Sequence, residues 1–62
     1  MDREQILKAI SRLSKSQGFY GRLLITLDSL KDNDLNRYEE TMSELEAQNF
    51  KDELEMVLYF ET

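Results

Sequence analysis

A chain of 62 residues with no Cys, His or Pro holds one domain at most and buries only about 60% of the surface its unfolded form exposes. Without Cys or His, disulfides and the usual zinc sites are excluded, so tight helix packing or self-association must replace a covalent or metal staple. The net charge of −5 is uneven: residues 1–31 carry six basic and three acidic groups, and residues 32–62 carry two basic and ten acidic ones.

Such asymmetry marks either an interaction surface or two halves that attract each other within the fold. The second reading is favoured. The strong helix formers Leu, Glu, Lys, Arg, Met, Gln and Ala dominate, and 40% hydrophobic content suffices for a small core. The expected fold is all-α: a compact bundle of three to four short helices in one domain, residues 1–62. Met1-Asp2-Arg3-Glu4 does not read as a secretory signal. The longest apolar run, Met56 to Phe60, is far too short for a bilayer span. A cytoplasmic location is expected, with no membrane contact.

Asp2 followed by Gln5 is a capping pattern, and Ile6, Leu7, Ile10 and Leu13 recur at helical spacing behind it. The first helix is expected over residues 3–15. Through Ser14-Lys15-Ser16-Gln17-Gly18, a seam of Ile6, Ile10, Leu13, Gln17, Tyr20, Leu24 and Leu27 keeps heptad phase. Serines and Gly18 nevertheless favour a kink or break there. Tyr20, Leu23, Leu24, Leu27 and Leu30 form the most apolar face of the chain. Lys31 to Asp34 reads as a turn, and Asp32, Asn33 or Asp34 is expected to cap the next helix. Leu35, Tyr38, Met42 and Leu45 carry that helix to about Ala47. The register slips at Gln48-Asn49, so Asn49 is expected to cap a last helix from Phe50 to Phe60.

Catalysis has little support. No His, Cys or Gly-rich phosphate loop is present. Glu39, Glu40, Glu44 and Glu46 read as a solvated acidic face, because nothing nearby would push two carboxyl pKa values apart. Asp32-x-Asp34-x-Asn36 imitates the start of a calcium loop but has Arg37 where Gly belongs and Ser43 where Glu belongs. No catalytic residue, metal, cofactor or small-molecule substrate is expected.

Leu13 to Leu24 resembles a helix–turn–helix, with Lys8, Arg12, Lys15 and Arg22 as basic flanks. The following helix is apolar where base-reading side chains belong, and the acidic second half repels phosphate. Nucleic acid is therefore not the expected partner. A further alternative is an acidic decoy that occupies a nucleic-acid-binding protein, with Glu39, Glu40, Glu44, Glu46, Asp52, Glu53 and Glu55 in place of phosphates. The segments Ser16-Gln17-Gly18-Phe19-Tyr20-Gly21-Arg22-Leu23-Leu24 and Glu46-Ala47-Gln48-Asn49-Phe50-Lys51-Asp52 resemble short uncharacterised proteins of bacterial phages and mobile elements. That resemblance implies a bacterial or phage source and no function.

Apolar side chains exceed what a small core holds. Ile6, Ile10, Leu13, Leu24, Leu27, Tyr38, Met42, Leu45, Leu54 and Val57 are assigned to the core, which leaves Leu7, Phe19, Ile25, Met56, Tyr59 and Phe60 over. Leftover apolar surface usually marks an interface, and Tyr and Arg are favoured at interface centres. The expected function is a non-enzymatic protein–protein interaction module that self-associates, for example as a homodimer. Phe19, Tyr20, Arg22, Met56, Tyr59 and Phe60 are the candidate partner-binding residues.

Overall fold

A computed structural model describes residues 1–61. Four helices follow in order: α1 (Arg3–Leu13), α2 (Gly18–Asn33), α3 (Leu35–Ala47) and α4 (Glu53–Glu61). No strand occurs among the described residues, so the expected all-helical fold is the one present. The radius of gyration is 11.1 Å, close to the roughly 10.6 Å of a compact domain this long.

Local chemistry explains most of the boundaries. The Asp2 carboxylate accepts from the Gln5 amide and the Gln5 side chain accepts from the Asp2 amide, a complete capping box. Helix α1 ends at Leu13, slightly earlier than expected. There Ser14 Oγ donates to the Ser11 carbonyl and Ser16 Oγ to that of Leu13, so serine hydroxyls compete with the helical ladder.

The expected break near Gly18 is present, but glycine does not cause it. Gln17 is extended (φ −134°, ψ 121°) and begins α2 without a side-chain cap. Neither glycine has positive φ. A Cβ on Gly18 would meet open space, and one on Gly21 would lie at ordinary contact distance, 3.7 Å, from the Ser14 carbonyl.

Two expectations about the second half need correction. The turn over Lys31–Asp34 shrinks to Asp34 alone. Its amide donates to the Leu30 carbonyl at 2.7 Å, closing α2, and its carboxylate accepts from the Arg37 amide at 3.2 Å, opening α3. One short polar residue does both tasks because Asp bonds readily to backbone amides two or three residues on.

Asn49 does not cap the last helix, and that helix does not start at Phe50. Asn49 has φ 52°, and its amide donates to the Glu46 carbonyl at 3.0 Å. This is one of the two bonds of a left-handed helix stop, a conformation that Asn tolerates better than most residues. Phe50, the next residue, and Leu45, three before the cap, are both core residues, as this stop favours. The real cap of α4 is Asp52, whose carboxylate accepts from the Glu55 amide at 2.9 Å. Glu55 accepts in turn from the Lys51 amide at 3.0 Å.

Helices α1, α2 and α3 pack pairwise against one another. The core draws Ile6, Ala9 and Ile10 from α1, Tyr20 and Leu27 from α2, and Tyr38, Met42 and Leu45 from α3; Phe50 and Met56 close it. The two charge halves do meet inside the fold. Arg3 on α1 binds Glu39 at 2.9 Å and Glu46 at 2.8 Å on α3, and Arg12 pairs with Glu53 at the start of α4. Hydrogen bonds to Glu46 and then Glu39 raise the Arg3 pKa further above its ordinary value.

Candidate functional site

Helix α4 is too short to be stable alone, and only one of its residues, Met56, is fully buried. Burying such a side chain contributes roughly 1.5–3 kcal/mol. Val57 and Phe60 are half-buried against the same core.

This inward set corrects the sequence assignment. Leu54, expected in the core, is 65% exposed, and Leu58, one turn on, is 54% exposed. Met56 and Phe60, expected to be left over, face inward instead. Helix α4 is apolar on both sides, so either stripe, 54/58 or 56/60, could have been buried. The start at Glu53 and the position of Phe50 set the choice. The Asp52-x-x-Glu55 pattern was the one sequence signal for that start.

Rings link α4 to the rest of the molecule. Phe19 lies 5.4 Å from Phe60 and 5.3 Å from Tyr20, centroid to centroid; Tyr59 lies 5.1 Å from Phe60 and 5.3 Å from Phe50. Edge-on and tilted arrangements of this kind are the favourable ones. Phe19 and Tyr59 remain 51% and 45% exposed.

Tyr20 is a core residue, 1% exposed. It and Met56 therefore offer no side-chain surface to a partner in this conformation, unlike their assignment from sequence. Among the described residues the Tyr20 hydroxyl has no hydrogen-bond partner. Burial, reinforced by the nearby Glu61 charge, pushes its pKa up.

The outward face of α2 carries Phe19, Arg22 and Ile25 at three-residue spacing, and Ile25 is 70% exposed. Of the six large apolar side chains exposed among the described residues, five lie on α2 or α4; the sixth is Leu35. The structure thus brings Phe19, Tyr59 and Phe60 together and sets Arg22 beside Phe19. Leu54, Leu58 and Ile25 are exposed elsewhere on α4 and α2, and the two leucines were not among the candidates read from the sequence.

The basic residues of the helix–turn–helix resemblance are partly engaged. Lys8 pairs with Glu4 at 3.3 Å and Arg12 with Glu53; Lys15 and Arg22 make no ion pair among the described residues. An open cleft of about 480 Å³ lies between α1 and the α4 cap and is lined by Lys8, Arg12, Lys51, Asp52 and Glu53 among others. Among the described residues no group of three or more His, Cys, Asp or Glu side chains is placed to hold a metal ion, and no helix is long and apolar enough to cross a membrane. No family model, curated protein or solved structure matches this chain.

Proposed function

We propose that this chain is a small non-enzymatic protein–protein interaction module that binds through the outward face of α4, where Leu54 and Leu58 are exposed. The carrying observation is the exposure of Leu54 and Leu58 on consecutive turns of a helix whose other face is already buried. Contiguous apolar surface of this kind is a recognition feature on a small protein. Two charge placements support this reading over its alternatives. Lys8 and Arg12, needed for a DNA-binding face, already hold carboxylates of this chain. Glu39 and Glu46, needed for a phosphate-mimicking face, both hold Arg3.

The test is site-specific photocrosslinking in cells that express the chain. A photoreactive amino acid replaces Leu58 in one variant and Glu40, exposed on α3, in another. A discrete crosslinked protein from position 58 and none from position 40 supports the module. No crosslink from position 58 or from a second probe at Leu54 overturns it.

A further inference from the structure

We infer that Met56 is a redox-sensitive modification site, whose oxidation by a small peroxide releases α4 from the body formed by α1, α2 and α3.

The three methionines occupy different situations. Met1 is half-buried at the edge of the core. Met42 and Met56 are both 0% exposed, but the elements that carry them differ. Met42 lies in the middle of α3, which packs against both α1 and α2, so an oxidant reaches it when that body opens. Met56 lies on α4, nine residues long, which forms no comparable helix pair among the described residues. Residues 48–52 join α4 to α3 without helical structure. Segments with few buried contacts open locally, ahead of the rest of a protein, and so short a helix does not persist alone in water. Opening of α4 uncovers Met56 and leaves α3 packed against α1 and α2.

The thioether sulfur supplies an electron pair to hydrogen peroxide. The O–O bond breaks, one oxygen passes to sulfur, and both protons leave with the other oxygen as water; sulfur is oxidised and the peroxide reduced by that pair. Methionine sulfoxide is polar where the thioether was apolar. Met56 is the one fully buried side chain of α4, and a sulfoxide returned to that position is a buried polar group that replaces an apolar anchor. Half-buried Val57 and Phe60 and the exposed Arg12–Glu53 pair are left to hold the helix. The Leu54/Leu58 face then loses the helix that displays it. That last effect bears on partner binding and rests on the interaction-module reading above; the oxidation and release of α4 do not.

The test treats the full chain with hydrogen peroxide and follows it by peptide mass spectrometry and amide hydrogen exchange. Met56 should oxidise at least about tenfold faster than Met42, since a local opening is more populated than a global one. The fraction oxidised at Met56 should lose protection over residues 53–61 while α1 to α3 keep theirs, and methionine sulfoxide reductase should restore it. Met56→Leu, close in volume and without sulfur, should keep α4 protected in peroxide even as Met1 oxidises. Met56→Gln, polar at the same position, should lose protection over 53–61 without peroxide. Oxidation of Met56 no faster than that of Met42 overturns the assignment, because α4 then does not open on its own. A Met56 sulfoxide whose α4 stays protected overturns it too, as does a Met56→Leu chain that still releases α4 in peroxide. None of these readouts involves a partner, so a failed crosslink from Leu58 leaves them standing.

Discussion

Phe19 and Phe60, separated by 41 residues in sequence, stack with centroids 5.4 Å apart and planes inclined by 47°. This contact ties the end of α4 to the start of α2. The other anchors of α4 are Met56 in the core, half-buried Val57, the ring contacts of Phe60 with Tyr20 and of Tyr59 with Phe50, and the Arg12–Glu53 pair near its first turn.

Phe60→Ala should therefore act on α4 before the rest of the molecule. We expect a loss of about 2 kcal/mol, below the 3–5 kcal/mol of a fully buried phenylalanine, because Phe60 is only half-buried. Amide hydrogen exchange should show protection lost first over residues 53–61, with α1 to α3 still protected. Uniform loss across all four helices would show that α4 is not separately anchored.

The left-handed Asn49 and the Asp52 cap can be separated by mutation. Asn49→Ala should cost about 1 kcal/mol through its positive φ, while Asn49→Gly should be neutral or slightly stabilising. Asp52→Ala should cost about 1 kcal/mol by uncapping α4. Thermal melts decide. An Asn49→Gly penalty as large as that of Asn49→Ala would show that the side chain, rather than the backbone conformation, matters there.

At the α1–α2 junction the weak points are the uncapped Gln17 and the two glycines. Gln17→Asp should stabilise by about 0.5–1 kcal/mol by supplying the missing cap. Gly18→Ala should stabilise by about 0.4–1 kcal/mol, since no positive φ or close neighbour requires glycine. Both should leave the break in place, observable as unchanged amide shifts at Lys15 and Ser16. A Gly18→Ala variant that merges α1 and α2 into one helix would show that glycine, rather than Gln17 and the serines, holds the break.

Tyr20 predicts an alkaline signature. Burial first and the Glu61 charge second raise its phenol pKa above the ordinary 10.0, so the folded state favours the protonated form. The associated stability is fully present below pH 10.0 and is lost as pH rises through the folded-state pKa. Tyr20→Phe removes the ionisation and a buried hydroxyl that has no hydrogen-bond partner among the described residues. It should leave stability at pH 7 unchanged or raised by up to about 1 kcal/mol, and it should flatten the decline above pH 10. Urea melts of both proteins between pH 7 and 11 test this. Parallel alkaline declines in the two would remove Tyr20 from the account.

Features whose causes lie within a few residues could be read from the amino-acid order. The Asp2–Gln5 box, the span of α3 and the interruption before Gly18 depend on capping groups, propensity and periodicity, and all are present. The same holds for part of the candidate site. Of the candidates named from the amino-acid order, Phe19, Arg22 and Tyr59 are exposed, whereas Tyr20, between the same two glycines as Phe19, is buried.

Elsewhere the decision was tertiary. Along Glu53–Glu61 the stripes 54/58 and 56/60 are equally apolar, so periodicity cannot say which turns inward. Met56 joins the core cluster formed with residues of α1, α2 and α3, and Leu54 and Leu58 are left outside. The amino-acid order places Tyr20 both on the inward seam and among the candidate surface groups, and only the packed structure decides for the core. Burial of an all-round apolar segment is chosen by its neighbours, and those neighbours lie tens of residues away in the chain.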